Sequence, residues 1–194
     1  HGPTPLSELG RRQAEATARH LSEEGISAIY SSDLHRAVET ATELAKLTGL
    51  EVNKTKAFRE RHVGVLEGLT FDESRENHPR DYYALVNREV HHVITKGESY
   101  SQLLDRTKKK LWDIIRRHEG ERVAIYSHTG AICFMTLHLM GAINRRTQRT
   151  PWIVTSNCGI NRFEIRPRRN IRVLAVNDTR HLLDITGNDS FAAR

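Results

Sequence analysis

Three side chains stand where anion chemistry could be done: Arg36, Glu60 and His128. Arg36 opens a predicted helix directly after a short apolar strand, in Ile29-Tyr-Ser-Ser-Asp-Leu-His-Arg-Ala-Val-Glu-Thr-Ala41. Its planar fork of donors could hold two phosphoryl oxygens at once. His128 follows the apolar run in Val123-Ala-Ile-Tyr-Ser-His-Thr-Gly130, where its imidazole could donate to such an oxygen. The N–H groups of Thr129 and Gly130 at the helix start would assist, since free amides and the helix dipole there favour anions. Glu60 lies between Arg59 and Arg61 in an irregular stretch, from which a carboxyl group could reach a leaving oxygen and supply its proton.

Each residue also has a plainer reading. Arg36 could pair with Glu39 or Glu43 on a surface, His128 could be a satisfied core histidine, and Glu60 could be one charge on a solvated loop, with Glu67 as the rival carboxylate. His91-His92 has no third ligand at a metal spacing, and His20, His35, His118 and His138 fall on predicted helices, so no metal site is expected.

The elements that must position these groups follow from periodicity and capping. Ser7 caps a helix running to about Glu24, with Ala14, Ala18 and Leu21 on one face and Gly25 closing it. Ile26 to Ser32 reads as a strand, a second helix runs from near Leu34 to Gly49, and Glu51 to Ala57 alternates as an edge strand. Periodicity weakens from Arg59 to Lys96, apart from a short helix from Pro79 through Leu85. Residues 59–97 therefore read as an insertion over the site. Ser99 caps a long helix with Leu103, Leu104, Thr107, Leu111, Ile114 and Ile115 on its apolar face. Val123 to Ser127 and Ala131 to Met140 read as a strand and helix that are both buried. Strands are then expected at Trp152 to Thr155, Ile160 to Ile165 and Ile171 to Val176. The fold class is α/β: a three-layer sandwich whose sheet is mostly parallel with an antiparallel margin.

The chain has 194 residues, of which 38% are hydrophobic, enough for one domain with a real core across residues 1–194. Lacking an apolar run of bilayer length and a signal segment, it is expected in the cytoplasm and not in a membrane. Two cysteines, Cys133 and Cys158, give neither a disulfide framework nor a zinc site. The net charge of +6 would suit a small phosphorylated partner. Its basic groups, Lys108-Lys109-Lys110, Arg145-Arg146 with Arg149, and Arg166-Pro-Arg-Arg169, are not interleaved with aromatics, which argues against nucleic acid.

Together with Pro5-Leu-Ser-Glu-Leu-Gly-Arg-Arg-Gln-Ala14 and Phe58-Arg-Glu-Arg-His-Val-Gly-Val-Leu-Glu-Gly-Leu-Thr70, these motifs make the chain resemble the histidine phosphatase superfamily, the phosphoglycerate mutase-like proteins, from Pro5 to about Leu182. The resemblance implies that Arg36 binds phosphate, that Glu60 protonates the leaving group, and that His128, with Thr129, stabilises the transferring phosphoryl group. It also implies that Arg61 contacts the substrate, that catalysis runs through a phosphohistidine, and that no metal or other cofactor takes part. Small phosphomonoesters are the implied substrates, with hydrolysis preferred to mutase-type transfer because the basic doublet followed by prolines of the mutases is missing. A noncatalytic phosphate binder is the reading from another class.

The family opens with a strand ending in Arg-His-Gly, whose His is the nucleophile, and no Arg-His-Gly occurs here. His1-Gly2 stands too close to Pro5 and reads as the end of the loop that follows that strand. The chain is therefore expected to be a fragment, inactive as it stands, whose opening strand would lie beside the Val123 strand.

Overall fold

The computed structural model describes residues 5–186, so the reading of His1-Gly2 lies outside the described residues. Helix α1 (Glu8–Ser22) starts at the expected cap, with the Gly10 N–H donating to Ser7 Oγ at 3.1 Å, a contact type that stabilises a helix by about 1 kcal/mol. Strand β1 (Ala28–Ser32) is buried throughout, and α2 (His35–Thr48) ends at Gly49, whose φ of 71° suits a residue without a Cβ. Strand β2 (Val52–Thr55) is shorter than the expected Glu51 to Ala57, because a 3-10 turn over Lys56–Phe58 takes the chain out of the sheet.

Between residues 59 and 97 the structure has two short helices where one was expected. Helix α4 (Pro79–Val86) begins with Pro79 as predicted, whereas α3 (Phe71–Asn77) is additional. Its signal was a capping box: Thr70 Oγ1 accepts from the Glu73 N–H while the Glu73 carboxylate accepts from the Thr70 N–H. Ser99 and Gln102 make the same box ahead of α5 (Tyr100–Arg117). Strand β3 (Val123–Tyr126) and α6 (Thr129–Leu139) follow. The expected strand from Trp152 to Thr155 is not formed. The Ile153 N–H donates to Cys133 Sγ at 3.3 Å and Trp152 packs edge-on against Tyr100, so this stretch is held by α5 and α6 rather than by a ladder. The chain ends its described part with β4 (Ile160–Arg166), β5 (Asn170–Asp178) and the one-turn helix α7 (Leu183–Thr186).

The parallel sheet has the order β2-β1-β3, with Ile29 opposite both Val52 and Ala124. Alternation along β1 makes the layers: Ala28 and Tyr30 enter the core shared with α5 and α6, and Ile29 enters the core shared with α1 and α2. Helix α6 lies in the first core with Ala131, Cys133, Phe134, Met135, Leu137 and Leu139 all buried, as its nearly uniform apolarity predicts. Strand β3 is only half-buried, against the expectation of full burial, because among the described residues it pairs with β1 alone and its other edge carries no ladder. The antiparallel pair β4–β5 is a sheet of its own. No helix among the described residues is long and apolar enough to cross a membrane.

Candidate functional site

Strand β1 delivers Ser31, Ser32 and Asp33 to the C-terminal end of the sheet, directly before α2, and β3 delivers His128 to the same end before α6. The two meet there: His128 Nε2 lies 2.9 Å from Ser32 Oγ, with His128 only 8% exposed. Burial, then the positive charges of Arg36 and Arg106, push the His128 imidazole down to about 3, against which Asp33 works weakly. His128 is therefore neutral at physiological pH, with one ring N–H to donate.

Arg36 is half-buried in the first turn of α2. The plainer reading of it as half of an ion pair does not hold. Glu39 accepts from the Leu6 N–H and pairs with His35, and Glu43 pairs with Lys46, so both carboxylates are engaged elsewhere. Arg36 has no side-chain partner among the described residues, while its charge reaches His128. A guanidinium with no side-chain partner among the described residues, whose charge is felt by a neutral imidazole, is suited to receive a dianion.

Glu60 is brought to the start of α6. Its Oε2 accepts from the Gly130 N–H at 2.8 Å and its Oε1 from its neighbour's Arg61 N–H at 2.8 Å. The contact requires a glycine, since a Cβ on residue 130 would stand 2.5 Å from Glu60 Oε1. One expectation changes accordingly. The Gly130 N–H was read as assisting an anion, but here it is donated to Glu60, and only the exposed Thr129 stands ahead of it at the head of the helix. Glu67, the rival carboxylate, lies on an exposed turn 3.4 Å from His62. Glu60 also borders a cleft of about 350 Å³ walled by Lys56, Arg59, His62, Glu98 and Arg106, of which Arg36 and His128 are not lining residues.

Arg61 is 4% exposed. Its Nε donates to the Glu98 carbonyl at 3.0 Å and its guanidinium lies over the Tyr100 ring, 3.7 Å from the centroid. Both terminal nitrogens are buried without a hydrogen-bond partner, and burial lowers its hold on the proton relative to an ordinary arginine. Two buried donors left open are costly in a resting protein.

The sequence reading did not single out Ser32, Asp33, Arg59, Glu98 or Arg106. Arg59 grips Asp33 with two bonds of 2.6 and 2.7 Å, which hold the Asp33 carboxyl below the usual range. Ser32 and Asp33 lay in a quoted motif at a strand end, where they could have been found. Arg106 sits on an amphipathic helix, where a charge reads as solvated, and no local signal marks it.

Comparison with known proteins gives these contacts a family. Residues 1–179 match the histidine phosphatase superfamily (branch 1). A metal-independent phosphoserine phosphatase of Arabidopsis thaliana is 40% identical over 140 residues, covering 71% of this chain and 59% of that protein. Phosphoserine phosphatase 1 of Hydrogenobacter thermophilus is 34% identical over 179 residues, covering 91% of this chain and 82% of the relative. Among solved structures, a phosphoserine phosphatase variant of Entamoeba histolytica in complex with phosphoserine superposes with a TM-score of 0.77 at 25% identity, covering 93% of this chain and 88% of that one. The chain spans 59% of the length of that Arabidopsis protein and of another from the same plant, phosphoglycerate mutase-like protein 4, to which it is 41% identical over 135 residues.

Proposed function

Because this chain belongs to the histidine phosphatase superfamily, we propose that it is the larger part of a phosphatase of small phosphomonoesters, working through a phosphohistidine formed on a segment upstream of residue 1. The observation that carries this reading is that Arg36, without a side-chain partner among the described residues, acts by its charge on a neutral His128, with the Glu60 carboxyl group held at the start of the helix after His128. Arg36 and the His128 N–H hold the phosphoryl oxygens, and Thr129 flanks them. The upstream histidine attacks phosphorus, the bond from phosphorus to the leaving oxygen breaks, and Glu60 gives that oxygen its proton. A water then attacks the phosphohistidine, loses its proton to Glu60 and releases inorganic phosphate. Arg61, with two open donors next to Glu60, holds the alcohol portion of the substrate. Relatives named as phosphoserine phosphatases support hydrolysis over transfer to a second substrate. The segment over residues 59–97 carries both Glu60 and Arg61 and forms one wall of the site.

The β3 edge that carries no ladder among the described residues and the greater length of the relatives support the upstream segment. The experiment compares the 194-residue chain with one extended by its native upstream sequence, using an activated aryl phosphate and a search for acid-labile phosphoenzyme. The extended chain turns over and labels, whereas the short one does neither. Comparable turnover by the short chain, persisting through further purification, would overturn the upstream nucleophile.

A further inference from the structure

We propose that Arg106, locked to Glu98, is a positioning residue that sets the Glu60 carboxylate against α6, an inference that rests on the role proposed for Glu60. Arg106 projects from the second turn of α5 and spends its fork on the backbone that carries Glu60. Its Nη1 donates to the carbonyls of Ala57 and Arg59, both at 2.8 Å, and its Nη2 to the carbonyl of Glu60 at 3.0 Å. The remaining donors are taken by Glu98, with Nε 3.1 Å from Oε2 and Nη2 2.5 Å from Oε1.

Glu98 closes the other side of the same loop. Its Oε1 accepts from the His62 N–H at 3.1 Å, its own N–H donates to the His62 carbonyl at 2.9 Å, and its carbonyl accepts from Arg61 Nε. The loop from Ala57 to His62 is thus held from both sides by one ion pair, although it has no helix or strand of its own from Arg59 onward. Glu60 is the residue in that loop whose side chain leaves the clamp and reaches Gly130. A planar fork is needed, because a lysine ammonium is a point donor that cannot serve three carbonyls and a carboxylate from fixed directions. General acid catalysis depends on such placement to fractions of an ångström.

The test uses Arg106→Lys, which keeps the charge, and Glu98→Gln, which keeps the volume, each alongside Glu60→Gln in the chain extended upstream. Two readouts are taken. The first is the amide proton shifts of Arg61 and Gly130 during an acid titration: both amides bond the Glu60 carboxylate, so they move together in the wild type and lose that common transition in Glu60→Gln. The clamp predicts the same loss in Arg106→Lys and Glu98→Gln while amides of the β1–β3 sheet keep their shifts. The second is hydrolysis of an alkyl phosphate against an activated aryl phosphate. Arg106→Lys should slow the alkyl ester by about 10²-fold, as Glu60→Gln does, and the aryl ester by less than about 5-fold. Adding Glu60→Gln to Arg106→Lys should cost nothing more on the alkyl ester. A retained common transition with equal slowing of both esters would overturn the clamp. A common transition present in the wild type and lost in Arg106→Lys and Glu98→Gln, with neither ester hydrolysed by the wild type, would support the clamp and overturn the phosphatase reading instead.

Discussion

Two regions of this molecule combine arginine with a histidine whose pKa is lowered by burial, and they treat their arginines in opposite ways. Where α1 meets the β4–β5 hairpin, Arg162 is paired with carboxylates: it donates to Glu24 and to Asp178, and its Nη2 lies 2.7 Å from His20. His20 stacks on His181, whose Nε2 lies 2.9 Å from Thr17 Oγ1. Arg180 adds a second cation on Asp178, and its bonds, then Arg162, hold that carboxyl far below the usual range. At the head of the parallel sheet Arg36 has no carboxylate partner among the described residues, Arg61 keeps two open buried donors, and His128 is kept neutral by burial. The first arrangement lowers the energy of the folded chain. The second leaves donors open among the described residues, as the proposed phosphate site would require.

The largest effect that could break this contrast lies at Glu60. In the extended chain, Glu60→Gln should slow hydrolysis of esters with poor leaving groups by about 10²–10⁴-fold and spare an activated aryl phosphate, since only a basic leaving oxygen needs the proton. Uniform slowing of both, read in steady-state assays, would reduce Glu60 to a substrate-positioning role.

Next comes acid stability. The folded His128 titrates near 3 against an ordinary 6.5, so the unfolded chain binds more protons between these values and stability falls as pH drops through that window. Between pH 7 and pH 5 the His128 contribution should shrink by about 2 kcal/mol, and His128→Asn should flatten that part of the profile in denaturant melts. His181, also lowered by burial and then by His20, leaves a smaller slope of the same sign in the variant. An unchanged profile in His128→Asn would mean that His128 is not the buried neutral group described above.

The smallest effect sharpens the comparison from the other side. Arg162→Ala should cost about 1 kcal/mol of stability, because it strips a partner from Glu24 and Asp178. It should leave anion affinity at the sheet end unchanged, as calorimetry with vanadate would check.

The elements that carry these groups were legible where local chemistry decides them. Ser7 and Ser99 announced α1 and α5, Gly49 the end of α2, and short apolar runs β1 and β3. Reading failed where a tertiary partner decides. Trp152 to Thr155 has strand-like residues, yet packing on Tyr100 and Cys133 holds it irregular. Helix α3 is an exception to that division, since its cap, Thr70 with Glu73, is local and no helix is expected there from periodicity. Within the site, Arg36, Glu60 and His128 could be singled out because each stands at a strand end or in a motif. The bonds from Arg106 to residues 57–60 span 46 to 49 positions of chain, and nothing in the periodicity of α5 foretells them.

The reserve of unpaired donors is tested most directly by calorimetric titration of vanadate into the wild type, Arg36→Ala and Arg172→Ala. Arg172 is an exposed arginine already paired with Glu164 in the hairpin, so its loss samples the general basic surface. Binding that disappears in Arg36→Ala, persists in Arg172→Ala and leaves both variants with the wild-type melting profile is the predicted result. Equal loss of affinity in the two variants would show diffuse attraction to a basic protein and would contradict a phosphate site built around Arg36.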